Sequence, residues 1–188
     1  PYWRLSSFYF FYFAVLGALV PYWGLFLQSR GFNALEIGQL LAILMATKII
    51  APNIWGWLGD HLERRMVIVR IASLLSIIVF AAMFYSYSFW AIALVMTLYS
   101  FFWNASLPQF EVVTFSYLKD RAARYARIRV WGSIGFIFTV IALGYFVDKF
   151  GTEVILSAVI LIFFSLWVSS LCINDPCKRD IRDNSHGL

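Results

Sequence analysis

Charge is scarce in this chain. Of its 188 residues 13% are charged and 62% are hydrophobic, against roughly 25% charged in an ordinary soluble domain. That shortage excludes a water-facing globular surface, and the bilayer is the solvent such a composition suits. Cysteine is equally sparse. Cys172 and Cys177 lie late in the chain with four residues between them, and neither a disulfide framework nor a zinc site fits so few ligands at that spacing. Missing too are a glycine-rich phosphate loop, a nucleophile elbow and a clustered catalytic set. The sequence therefore gives no reason to expect an enzyme, a cofactor or a bound metal.

What is present is a succession of long apolar runs. A helix needs about 20 apolar residues to cross a hydrocarbon core of about 30 Å. Six segments qualify: Leu5–Leu27, Ile37–Leu58, Val67–Tyr87, Phe89–Val113, Val130–Val147 and Val154–Ile173. Lipid leaves no partner for an unpaired backbone amide, so each span is expected to be helical. The fold class that follows is an all-α membrane protein, a six-transmembrane-helix bundle over residues 1–175. Residues 176–188 read as a cytoplasmic tail or the start of a central loop. The first run is longer than a signal-peptide core and five more follow it, so it reads as a span. An opening at Pro1 without methionine suits a piece of a longer chain.

Lysine and arginine orient the bundle. With the start of the chain inside, the cytoplasmic side collects Arg4, Arg64, Arg65, Arg70, Lys119, Arg121, Arg124, Arg127, Arg129, Lys178, Arg179 and Arg182. The opposite side has Arg30 and Lys149. Twelve against two in short loops is a positive-inside pattern, with both ends cytoplasmic. The net charge of +5 and the basic tract Lys119–Arg129 are then accounted for by topology, without a nucleic-acid partner.

Between the second and third spans the chain reads Gly56-Trp57-Leu58-Gly59-Asp60-His61-Leu62-Glu63-Arg64-Arg65. This resembles the G-x-L-x-D-x-x-x-R-R/K signature of the major facilitator superfamily, on the side where the charge count places it. The resemblance implies one half of a major facilitator fold and a cytoplasmic gate built from Gly56, Leu58, Asp60, Arg64 and Arg65. Gly56 would allow close helix approach, Leu58 would pack, and Asp60 would profit from a nearby helix N-terminus. His61 and Glu63 depart from the pattern, and Glu63 in a glycine position asks for a different turn.

Polar residues inside spans mark function, because a charge at the bilayer centre costs roughly 2.5–3.5 kcal/mol on insertion scales. Lys48 sits mid-span, with Pro52 and Trp55 on its face; an internal structural ion pair is the alternative to a role in solute or ion handling. In the fourth span Asn104, Pro108 and Glu111 share a face, and Arg127-x-Arg129-x-x-Gly132 follows. The combined pattern resembles lactose permease and its relatives, the phenylpropionate-permease-like and nucleoside symporters. It implies a substrate-binding charged pair, Glu111 with Arg129, and further candidate contacts at Asn104 and at Phe136, which stands where lactose permease stacks a tryptophan. Phenylalanine is a weaker sugar platform, and together with the Lys48 cation it favours an aromatic or carboxylate-bearing solute. Counting from Trp90 at 1.5 Å per residue puts Glu111 about 30 Å along its span, nearer the cytoplasm than a midplane site. Either the span starts outside the core, or the pair is a gate; a salt bridge that only joins the two spans is a third reading.

Gly17, Pro21 and Gly24, like Gly132, Gly135 and Gly144, fit close packing and bending. The ring-rich run Phe8–Phe13 reads as lipid-facing or interfacial. By the resemblance, the complete protein is a proton-coupled symporter of a small organic solute working by alternating access, in an inner membrane if bacterial. A second six-helix half would hold the proton site. A sugar or nucleoside symporter, a facilitator or exporter on the same fold, and a non-transporting membrane protein are the alternatives.

Overall fold

The computed structural model describes residues 2–62, 64–118 and 122–174. Glu63, Lys119, Arg121, Cys177, Lys178, Arg179, Arg182 and the tail 176–188 lie outside the described residues. Six helices run α1 (Tyr2–Ser29), α2 (Ala34–Leu62), α3 (Arg65–Ala81), α4 (Phe89–Leu118), α5 (Ala122–Phe150) and α6 (Val154–Leu171), with a short 3-10 turn, Ala82–Tyr85, extending α3. All six are long and apolar enough to cross a membrane, so the chain is a multi-pass integral membrane protein.

The expected spans are all present, and most ends agree within a turn. The exception is α5, expected from Val130 but helical from Ala122. Charged residues such as Arg124 and Arg127 cannot sit in hydrocarbon, but arginine is a good helix former, so the helix continues beyond the apolar stretch. α4 likewise runs on to Leu118. The four helices α1, α2, α4 and α5 contain 28 to 30 residues, or about 42–45 Å, and overshoot the hydrocarbon at their ends.

Helix ends are built locally. At the end of α1, Gly31 takes φ +90, where a side chain would be strained, and the amides of Gly31 and Phe32 return to Gln28 and Leu27. Asn33 and Glu36 then form a reciprocal capping box that starts α2, with bonds of 3.0 and 2.9 Å. Arg70 of α3 donates to the carbonyls of Ser170 and Ile173 at the end of α6.

The packing repeats itself. α1 lies mainly against α5 and α6, α4 mainly against α2 and α3, and α3 meets α6, while α1 barely touches α2 and α4 barely touches α5. Exchanging the first three helices for the last three maps this pattern onto itself, the signature of two inverted three-helix repeats. α1 and α4 occupy the centre, but their backbones keep apart. Rings fill the space: Phe8 stacks on Phe110 at 3.8 Å and Tyr12 on Trp103 at 5.2 Å. Phe8, Tyr9 and Tyr12 are therefore buried, which corrects the lipid-facing reading of that run. Hydropathy measures how apolar a run is and not which way it faces. α2 and α5, the least buried spans, flank the open side.

The α1–α5 crossing depends on missing side chains. A Cβ on Gly135 would collide with the backbone of Phe10, and one on Gly17 would lie 2.7 Å from the Phe136 carbonyl oxygen.

Candidate functional site

Each long helix has a middle, and the expected site residues fall at two levels relative to it. Lys48 is the central residue of Ala34–Leu62 and Phe136 the central residue of Ala122–Phe150, while Asn104 adjoins the centre of Phe89–Leu118. Glu111 and Arg129 each lie about 10 Å from these centres, towards the end that carries Asp60 and Arg65. The greater length of α4 places Glu111 inside the hydrocarbon, but the offset from the middle is real.

Lys48 is exposed, and among the described residues no hydrogen bond or ion pair engages it. Its neighbour Thr47 is buried and hydrogen-bonded to Ser100 of α4. Asn104 is buried and donates to the carbonyl and hydroxyl oxygens of Ser100, at 2.8 and 3.1 Å. Its side chain is thus engaged within its own helix and does not meet Glu111. Pro52 and Pro108, lacking an N–H, leave the carbonyls of Lys48 and Asn104 without their helical donors. The middle level therefore combines a cation, two freed acceptors and the half-buried Phe136.

At the deeper level the structure gathers Glu111 and Arg129, but not as an ion pair. The Tyr125 hydroxyl donates to Glu111 Oε1 at 3.3 Å. Arg129 itself lies over the ring of Phe13, 3.9 Å from its centroid, and 5.6 Å from that of Tyr9. Phe13 is within a turn of the middle of α1, so the guanidinium is lifted from its backbone level towards the centre. Gly132 makes room for this stack, since a Cβ there would stand 2.7 Å from Phe13 and 3.0 Å from Arg129 Nη1. A guanidinium held by its face keeps its N–H edge available for a planar oxyanion. The Tyr125 ring is fixed in turn by stacking on Phe115 at 4.7 Å.

The second cluster lies at the basic end. Arg65, the first residue of α3, donates to Asp60 Oδ1 at 2.5 Å and to Gln109 Oε1 at 2.7 Å. Gln109, buried in α4, donates onward to the Trp55 carbonyl at 2.7 Å. Asp60 stands in the last turn of α2, the unfavourable end of that helix for an anion, and Arg65 offsets this. Arg64 is exposed and Leu58 half-buried. The glycine expected to permit close approach was Gly56, yet among the described residues nothing comes within 4 Å of a Cβ placed there. Gly59 has that role, pressed against Gln109.

Tyr125, Phe13, Tyr9 and Gln109 were not anticipated. Tyr125 alone had a legible signal, one turn before Arg129 on the same helix face.

Residues 2–186 match the model of the MFS_1 like family. The chain belongs to that family, and so to the major facilitator superfamily of transporters. It is 29% identical over 153 residues to the maltose permease of Geobacillus stearothermophilus, covering 80% of this chain and 39% of that protein. With the probable 3-phenylpropionic acid transporter of Escherichia coli (strain K12) it shares 28% over 164 residues, 81% of this chain and 40% of the relative. The crystal structure of the nucleoside transporter NupG superposes with a TM-score of 0.83 at 20% identity, over 95% of this chain and 45% of NupG, a likeness of fold. The chain thus spans about two-fifths of the length of these relatives. Its curated relatives with stated activities are permeases and transporters, which move solutes without making or breaking their bonds.

Proposed function

We propose that this chain is the amino-terminal half of a proton-coupled symporter for a carboxylate-bearing aromatic solute, working by alternating access with both ends cytoplasmic. The observation that carries the reading is the Arg129 guanidinium, stacked on Phe13 and not neutralised by Glu111. Within the membrane-embedded site, Lys48 and Arg129 against Glu111 leave one net positive charge, which a monovalent organic anion would balance. Phe136 supplies a ring face at the level of Lys48. Lys48 also explains the open side: an exposed cation at mid-span is costly against lipid, so α2 and α5 are the faces that a second six-helix half would cover around a watery cavity. The Asp60–Arg65–Gln109 cluster would be this half's share of the cytoplasmic gate, and Arg4, Arg64, Arg65, Arg124 and Arg127 at one end favour placing that end inside.

The likeness to a probable 3-phenylpropionic acid transporter of E. coli supports an aromatic acid. A sugar symporter is the second reading, favoured by the likeness to a maltose permease. The test is uptake of labelled 3-phenylpropionate and of maltose by the full-length protein in proteoliposomes, with and without an inward proton gradient. Gradient-driven accumulation of 3-phenylpropionate, lost in Glu111→Gln, is expected. Accumulation of maltose alone would replace the first reading by the second. Undiminished uptake in Glu111→Gln would remove that residue from the mechanism.

A further inference from the structure

Glu111 and Arg129 carry opposite charge on neighbouring helices and lie on either side of the Tyr9 and Tyr125 rings, yet they do not pair. In a partly desolvated site two such groups attract strongly, so something must hold them apart. Two contacts do so. Arg129 is retained by the α1 rings, and Glu111 Oε1 by the Tyr125 hydroxyl. Tyr125 is itself well fixed: its ring lies at 23° to Phe115 and near-perpendicular to Tyr9. Phe115 stands one helical turn beyond Glu111 on α4, so the plate that orients the hydroxyl and the carboxylate that receives it belong to the same helix.

We propose that Tyr125 is a positioning residue that prevents Glu111 from collapsing onto Arg129, so that the arginine's N–H edge is free for the carboxylate of the solute. This rests on the reading of Glu111 and Arg129 given above. Without the hydroxyl, Glu111 is an internal competitor for the guanidinium, and the solute must displace it. Affinity suffers, while the transport step, which begins once the solute is bound, does not.

The experiment is the concentration dependence of uptake by full-length wild type, Tyr125→Phe, Phe115→Leu and Glu111→Gln, using whichever of 3-phenylpropionate and maltose the wild type carries. Tyr125→Phe keeps the ring on Phe115 and removes one oxygen. A hydrogen bond to a charged group governs about a ten-fold change in an equilibrium, so KM is expected to rise about ten-fold with maximal velocity within two-fold of wild type. Phe115→Leu, which removes the plate and leaves the hydroxyl, should raise KM less, and it carries the test if Tyr125→Phe does not accumulate. An unchanged KM in both variants, with Glu111→Gln inactive, overturns the role of Tyr125 and leaves the site reading standing. Normal uptake in Glu111→Gln, or no uptake of either probe by wild type, overturns both.

Discussion

Replacing Gly135 by alanine tests the architecture that presents Arg129. The added Cβ would meet the Phe10 carbonyl oxygen in hard overlap and lie 2.9 Å from its carbon and 3.0 Å from its Cα. Ordinary Cβ contacts begin near 3.4 Å, and all three obstacles are backbone, which cannot rotate away. α1 and α5 must therefore separate by several tenths of an ångström along the most extensive helix contact in the bundle. Overpacking of this kind costs about 1–3 kcal/mol, while alanine recovers up to about 1 kcal/mol of helix propensity. A net loss of about 1–2 kcal/mol lowers the melting temperature by roughly 1–4 °C for a protein of the relatives' length. Fluorescence-detected size-exclusion melts of the full-length protein in detergent measure it. Gly38→Ala is the control: among the described residues no atom comes within 4 Å of its Cβ, so only the propensity gain applies and the melt should hold or rise. If Gly135→Ala melts at or above wild type, the close approach of α1 and α5 is wrong, and with it the placement of Phe13 against Arg129.

Lys48→Met removes a mid-span charge that has no partner among the described residues, so the protein should insert and melt at least as well as wild type. Uptake of a carboxylate solute should nevertheless fall ten-fold or more; unchanged uptake, measured in proteoliposomes, would return Lys48 to a structural role. Gln109→Leu preserves bulk but removes one acceptor from the Arg65 guanidinium, leaving it Asp60, and one donor from the Trp55 carbonyl. It is expected to cost about 1–3 kcal/mol, read as a lower melt, and to loosen Asp60, read as faster labelling of a cysteine placed at the exposed position 62.

The spans were legible because hydropathy over twenty residues is a summed property that survives local detail. The start of α5 was not, because the helix there runs on through a charged stretch that lipid-based counting rejects. The Asp60–Arg65 contact could be read from spacing alone, since a five-residue separation across a helix end brings the side chains together. Gln109 could not, because a lone amide in an apolar span gives no direction, and its partners come from two other helices. The aromatic run Phe8–Phe13 was misjudged for the same reason: α1 is central only because the two three-helix repeats bring α1 and α4 together, and a single sequence without a visible repeat does not reveal it. Glu111 and Arg129 were named by analogy as a charged pair, yet they form no ion pair, and their geometry depends on Tyr125, one turn before Arg129, and on Phe13, which no pattern had marked.

α4 connects the two clusters. Gln109 and Glu111 stand two residues apart on it and project to different sides: Gln109 is bound to α2 and α3 through Trp55 and Arg65, whereas Glu111 reaches α5 through one hydroxyl. α2, α3 and α4 are therefore tied into one body at the basic end, and α1 and α5 into another by glycine-mediated contact. The seam between α4 and α5 is thin, and the Glu111–Tyr125 bond crosses it. In the proposed cycle, a solute that engages Arg129 beside this bond acts on a thinly packed seam, and any shift of α4 is carried by Gln109 to Arg65 and Asp60. Occupancy of the site and the state of the gate would then be coupled through a single helix, without a separate relay of side chains.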